Sequence, residues 1–305
     1  MCFQQIKKYT YYCYAKIVTL FLRLLEKVGF YSFPHVIRIE TTNRCNANCT
    51  MCTREKLTRS LGTMDLDLFK KIVDECKQCK VKTLHLHNFG EPLLDPLLCE
   101  RIKYAKDAGI RLRIFSNFSV LTEEKALALI DAGIDEIKIS IDGATKETYE
   151  SIRINLKFEQ VEANIEMMLR LRKKMQAKFP RIRLVFVETE NNHMEVDAFK
   201  KRWQGKVDDV LISSYHNWAG GLDKEGNTKK RLLPCFRIWR TFTVLCDGRV
   251  ALCCLDYDGK VILGDLNKQT ISEIYHGPKL KEIQKKHLNW EYEKVPMCLN
   301  CEGRR

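Results

Sequence analysis

Between residues 33 and 216 the chain alternates two periodicities, and this alternation restricts the fold more than any other feature. Strand-like runs occur at 36–41, 83–88, 110–116, 136–141, 182–188 and 209–214. Helical patterns lie between them, near 65–79, 96–108, 123–132, 145–151 with 158–178, and 194–204. Six β/α units in series imply an α/β fold with a parallel sheet and right-handed crossovers. Periodicity alone does not say whether that sheet closes. Either way, chemistry belongs at the carboxyl ends of the strands.

The 305 residues have room for one large domain, or one plus a small appendage. A hydrophobic fraction of 45% with 30% charged residues excludes a disordered or fibrous chain. Fourteen cysteines without an evident secretory signal point to metal ligation in a reducing compartment rather than to disulfides. Cytoplasm is the expected location. The net charge of +13 reads either as a solvated surface or as a match for an anionic partner. That partner would be a phosphorylated or nucleotide-linked substrate, or a membrane surface. Local basic runs lie at 170–174 and 229–231, but no nucleic-acid-binding motif accompanies them, so nucleic acid is set aside.

Residues 1–34 stand apart. Ile17, Leu20, Phe21, Leu24, Leu25 and Val28 follow helical spacing, and Lys16, Arg23, Glu26 and Lys27 interrupt any apolar run long enough to span a bilayer. This N-terminal amphipathic helical segment either packs across the bottom of the core or lies on a membrane, with Lys7, Lys8, Lys16 and Arg23 toward headgroups.

The densest chemistry follows the first strand. Cys45, Cys49 and Cys52 form a C-x3-C-x2-C loop, one thiolate short of a closed tetrahedral metal site. By spacing alone the loop is a partial zinc site, three buried thiols, or a cluster site with one open iron. The loop resembles the signature of radical S-adenosylmethionine (radical SAM) enzymes. The resemblance implies a partial (β/α)6 barrel, a [4Fe-4S] cluster on Cys45, Cys49 and Cys52, and S-adenosyl-L-methionine on the fourth iron. Reductive cleavage would then yield a 5′-deoxyadenosyl radical that abstracts hydrogen from substrate, with electrons from an external flavodoxin- or ferredoxin-like donor.

Further elements fall at strand ends in order. Asn88-Phe89-Gly90-Glu91-Pro92 is similar to the family's "GE" element, in which Gly90 permits close backbone approach and Glu91 offers an acceptor for the cofactor's ammonium. Asn117 and Ser140 end the third and fourth strands, where the family uses polar groups for ribose hydroxyls and the methionine carboxylate. Arg153 looks like the arginine that pairs with that carboxylate. Each also reads as a turn residue or a solvated charge. His85 and His87 alternate with Leu84 and Leu86, which aims both imidazoles into the barrel. They shape a pocket or are satisfied interior histidines. His216, Glu188 and Glu190 end later strands and are further binding candidates.

A second cysteine set appears at 235–301. A hairpin over 241–252 turns at Asp247-Gly248 and delivers Cys253, while Cys298 and Cys301 close a C-x2-C. Cys235, Cys253, Cys298 and Cys301 suffice for one [4Fe-4S] cluster or a zinc ion. This region resembles the SPASM/twitch extension of radical SAM enzymes, in the short form with one auxiliary [4Fe-4S] cluster. The expected division is therefore 1–34, a core domain at 35–216, and a small α+β auxiliary-cluster domain at 217–305. Cys246 and Cys254 flank the hairpin. Each is either a catalytic thiol that returns hydrogen to a substrate radical or a small buried hydrophobe.

The resemblance implies an oxidoreductase or epimerase acting on a small-molecule or glycan substrate. A sugar or cyclitol is preferred because no separate leader-peptide domain is evident. The rivals are a peptide- or protein-modifying maturase and a non-catalytic metal-binding module.

Overall fold

The computed structural model describes residues 2–222, 233–299 and 301–302; the basic run at 229–231 lies outside them. Six strands form the parallel sheet that the periodicity predicts: β1 (Val36–Ile39), β2 (Thr83–His85), β3 (Arg111–Ser116), β4 (Glu136–Ser140), β5 (Arg181–Glu188) and β6 (Asp209–Ser214). Three more strands, β7 (Thr241–Val244), β8 (Arg249–Ala251) and β9 (Ile262–Asp265), extend the same sheet in the order β9-β8-β7-β1-β2-β3-β4-β5-β6. β7 runs parallel to β1, with Val36 opposite Thr241 and Ile39 opposite Val244. β8 returns antiparallel to β7, and β9 antiparallel to β8. The two edges do not pair among the described residues, so the sheet stays an open, partial barrel.

Strand alternation sets the two faces. Ile37, Ile39, Leu84, Leu86, Ile114, Ile137, Ile139 and Leu184 are fully buried under the helices. Each such side chain contributes roughly 1.5–3 kcal/mol by leaving water. The covering helices start where sequence chemistry places them. α2 (Leu66–Gln78) is capped by Asp65, α4 (Glu123–Asp131) by Thr122 and α5 (Lys146–Ile152) by Thr145, each accepting from backbone N–H groups of the first turn. α3 (Leu98–Asp107), α6 (Phe158–Lys174) and α7 (Val196–Trp203) complete the layer. The opposite face of the strands is polar, carrying Arg38, His85, Arg113 and Lys138, and it lines the barrel interior.

α1 (Cys2–Lys27) buries a different face from most of the residues its apolar spacing marks. Ala15, Thr19 and Leu22 are buried, and Glu26 turns inward to accept from the Trp239 indole at 2.7 Å. Thr19 accepts from Trp290, and Arg23 donates to Asn289 at 3.2 Å. The helix is stitched to the C-terminal segment, and Glu26 reaches Trp239 just before the start of β7. Ile17, Leu20, Phe21 and Leu24 are each at least half exposed.

One buried ion pair joins the strand ends to the C-terminal strands. Glu40, just past β1, takes both Arg59 Nη atoms at 2.8 and 3.0 Å. It also accepts from Asn88 Nδ2, the Phe89 amide and the Cys246 amide. Arg59 spends its remaining Nε–H on the Tyr257 carbonyl at 2.9 Å. Glu40→Ala, which leaves the buried guanidinium uncompensated, is expected to cost about 3–5 kcal/mol in a urea unfolding titration. A volume-matched Glu40→Leu/Arg59→Met pair is expected to recover only part of that loss, because the Phe89 and Cys246 amides lose their acceptor.

Candidate active site

A cavity of about 350 Å³ opens at the carboxyl ends of the parallel strands. Cys45, Cys49 and Cys52 line it, and the loop that carries them is held by three other segments. Its Asn48–Cys49 stretch pairs antiparallel with Arg153–Ile154, and the Thr50 amide donates to the Ile152 carbonyl at 2.9 Å. Asn46 donates to Ser119 at 2.8 Å and accepts from Asn117 at 3.0 Å. The Trp218 indole donates to the Met51 carbonyl at 2.7 Å from the segment that leaves the core.

Burial raises all three thiols, and each is raised further by a neighbouring negative charge. Cys52 is pushed up to about 11, by burial first and then by Cys49 and Cys45. Three adjacent thiolates need a cation between them. Two donors face the sulfurs: Arg153 Nη1 lies 3.7 Å from Cys49 Sγ, and Asn117 Nδ2 lies 4.0 Å from Cys45 Sγ. Among the described residues no three His, Cys, Asp or Glu side chains converge to hold a single metal ion. An iron–sulfur cluster spreads its thiolate ligands over separate irons, and this donor set fits that group.

The adjoining wall comes from the ends of β2, β3 and β4. Gly90 is required by close approach, because a Cβ there would collide with the Thr42 carbonyl oxygen. The Glu91 amide donates to the Arg44 carbonyl at 2.8 Å, which ties this turn to the residue before Cys45. The Glu91 carboxylate accepts from Ser116 Oγ at 2.7 Å, the Asn117 amide at 2.6 Å and the Leu93 amide at 3.0 Å. Burial raises its pKa, and those three hydrogen bonds oppose the rise. Three of its roughly four acceptor positions are occupied, which leaves one for an ammonium donor. Ser140 and Arg153 line the same cavity. Arg153 is held by Asp142, with Nε at 2.6 Å and Nη2 at 2.5 Å, and Asp142 also accepts from the Val187 amide at 2.7 Å.

Arg38, His87, Tyr215, His216, Trp218 and Cys254 also line the cavity. The two candidate thiols separate here. Cys254 lines the cavity, whereas Cys246 does not; it lies buried beside Glu40, and burial together with that carboxylate pushes it up to about 12. Glu188 and Glu190 are exposed and stay out of the cavity. Asp142 and Glu40 were missed from sequence because each reads as an ordinary strand-end acid. Only their complete burial marks them.

The second thiol set gathers around Arg237, whose guanidinium is close enough to Cys254, Cys235, Cys253 and Cys301 for their charges to raise its pKa. Cys253 is wholly buried, and its pKa is driven far up by burial and by Cys254, Cys235 and Cys298. The Glu302 amide donates to Asn217 at 3.1 Å, which ties the closing C-x2-C back to the end of β6. Cys235, Cys253, Cys298 and Cys301 therefore form one neighbourhood, with Cys254 between it and the cavity.

The radical SAM superfamily model matches residues 39–199, and the SPASM iron–sulfur cluster-binding domain matches 235–302. A tungsten-containing aldehyde ferredoxin oxidoreductase cofactor-modifying protein of Pyrococcus furiosus is 28% identical over 179 residues, 58% of this chain and 50% of that one. The chain spans about half or less of the first curated relatives it matches. An S-adenosyl-L-methionine-dependent 2-deoxy-scyllo-inosamine dehydrogenase of Niallia circulans is 22% identical over 272 residues, 88% of this chain and 92% of that one. The crystal structure of BtrN in complex with AdoMet and 2-DOIA superposes with a TM-score of 0.63 at 20% identity, covering 88% of this chain and 93% of that chain.

The two domains imply S-adenosylmethionine, a [4Fe-4S] cluster and auxiliary iron–sulfur chemistry. With one cluster on each cysteine set, anaerobically prepared protein is expected to hold about eight irons per chain. Cys45→Ala and Cys298→Ala are each expected to lose about half of that iron, and iron and sulfide analysis of the two variants checks it. The superfamily model covers just over half of the sequence, and the chain belongs to the radical SAM superfamily.

Proposed function

We propose that this protein oxidises a hydroxyl-bearing carbon of a sugar or cyclitol. The observation that carries this reading is a thiol neighbourhood for one auxiliary cluster, set beside the cavity that Cys45, Cys49 and Cys52 also line. The nearly full-length likeness to a cyclitol dehydrogenase supports it. Residues 35–216 are assigned to the core and 217–305 to the auxiliary segment, with 1–34 as a separate helical segment.

Bound at Cys45, Cys49 and Cys52, the cluster and S-adenosylmethionine supply a 5′-deoxyadenosyl radical. Glu91 offers its remaining acceptor position to the cofactor's ammonium, and Asn117 and Ser140 present polar groups beside it. Arg153, fixed by Asp142, brings positive charge to Cys49 and to the cofactor's carboxylate. Tyr215, His216 and Trp218 close the substrate side. Loss of a hydrogen atom from the carbinol carbon leaves a carbon radical. Loss of one electron from that radical to an auxiliary cluster held by Cys235, Cys253, Cys298 and Cys301, and of the hydroxyl proton to solvent, would complete a ketone. An external one-electron donor starts each turnover.

Cys254 favours a second outcome, because it is the thiol at the cavity wall. Hydrogen return from its Sγ to the opposite face of the radical inverts the centre and leaves a thiyl radical, which one electron from the external donor and a solvent proton restore to the thiol. Turnover of a candidate sugar in deuterated solvent separates the outcomes: a loss of two mass units marks oxidation, and gain of one deuterium at constant formula marks inversion. Inversion that disappears in Cys254→Ala while iron content holds would assign Cys254 as donor. Turnover of peptides but of no sugar or cyclitol would overturn the reading in favour of a maturase.

The exposed side of α1 supports a membrane partner. Tyr14, Ile17, Leu20, Phe21 and Leu24 lie opposite the buried Ala15, Thr19 and Leu22. The helix has no acid before Glu26, which faces Trp239, while Lys16 and Arg23 flank the apolar stripe. No described helix is long and apolar enough to cross a membrane. An in-plane contact with anionic lipid fits this arrangement. The protein is expected to sediment with phosphatidylserine-containing vesicles and to lose most of that binding in Ile17→Ser/Phe21→Ser. Equal partition of the two proteins would reject the contact.

A further inference from the structure

The barrel interior carries a belt of cations with too few acids. Arg38 on β1 lies opposite His85 on β2 and Thr243 on β7. The belt continues through Arg113 on β3, Lys138 on β4 and Arg183 on β5. Glu136 serves three of these cations: Arg113 at 2.9 Å, Arg183 at 3.5 Å and Lys138 at 3.9 Å. Arg183 also reaches Asp209 at 2.8 Å.

Among the described residues Arg38 has no carboxylate partner, and its Nε and Nη1 are buried without a hydrogen-bond partner. The nearby Glu40 is committed to Arg59 and to three other donors. Arg38 nonetheless lines the catalytic cavity, one layer below the strand ends. Its ladder partner Thr243 keeps a buried, unpartnered hydroxyl, and the stacked His85 and His87 keep unpartnered Nδ1 atoms. Burial and then the Arg38 charge hold both imidazoles neutral, His85 down at about 3. The imidazoles therefore add no charge but retain hydrogen-bonding capacity.

Buried guanidinium N–H groups without an acceptor are costly to maintain. Here they sit on the wall of the cavity that receives substrate. We propose that Arg38 binds an anionic group on the substrate, a phosphate or a carboxylate. The substrate class narrows to an acidic or phosphorylated sugar or cyclitol, gripped at the depth of the barrel with its reacting carbon toward the cysteine loop. This rests on the reading of the cavity as a sugar or cyclitol site.

Calorimetric titration of the cluster-loaded protein with S-adenosylmethionine present tests it, using inorganic phosphate, glucuronate and neutral glucose as probes. At least one anion is expected to bind, and more tightly than glucose. Phosphate alone would identify a phosphorylated substrate, and glucuronate alone a carboxylate. Arg38→Met is expected to weaken anion binding about tenfold or more, and Arg38→Lys by less, because lysine keeps the charge but loses the fork. Circular dichroism and iron content check that each variant is folded, and Arg38→Lys serves if Arg38→Met is not. No anion binding by the wild type, or equal binding by wild type and variant, would overturn the assignment. Reductive cleavage of S-adenosylmethionine by the wild type, measured separately, reports on the enzyme reading, so the two can fail independently.

Discussion

The Glu40–Arg59 pair is the interaction on which the site depends. Four segments meet at one carboxylate: the end of β1, the stretch after the cysteine loop, the turn before Gly90, and the hairpin that carries Cys253. Both side chains are almost wholly withdrawn from water. Such a pair is stable only where its desolvation is offset by well-formed hydrogen bonds, and Glu40 accepts from Arg59, Asn88, Phe89 and Cys246. The same bonds orient the cysteine loop relative to the Gly90–Glu91 turn. A group added for stability alone would be better replaced by packed hydrocarbon. This one also specifies which loops lie side by side.

The pairing of β7 with β1 has a similar consequence. The C-terminal strands do not form an independent sheet; they continue the barrel past its first strand. The auxiliary thiols are therefore placed by the backbone hydrogen bonds that also place Arg38 and Glu40. Trp218 and Asn217 reinforce the link, the first holding the Met51 carbonyl and the second holding the Glu302 amide. The cysteine loop after β1 and the hairpin that delivers Cys253 are thus tied to the same sheet.

Much of this was readable from residue order. Each of the six parallel strands falls within a residue or two of its expected start, because alternating Ile and Leu against polar partners is a strong period-2 signal. The cysteine spacings and the Gly90-Glu91 turn were legible because they are local. α1 was not legible in the same way. Its periodicity marked Ile17, Leu20, Phe21 and Leu24 as the face to bury, yet the buried side is Ala15, Thr19 and Leu22. Small residues let the helix approach Trp239 and Trp290 closely, and hydrophobic periodicity cannot distinguish a face that meets protein from one that meets something else.

The order of residues thus determined the fold class, the strand and helix positions, and which thiols and acids are available for chemistry, since these depend on neighbours within a few positions. Tertiary structure decided which of those groups face one another. It placed Cys254 at the cavity and Cys246 against Glu40, committed Asp142 to Arg153, and left Arg38 without a carboxylate. These outcomes turn on contacts between residues from about ten to about two hundred positions apart, where burial and pairing are set by packing, and no local pattern of side chains encodes them.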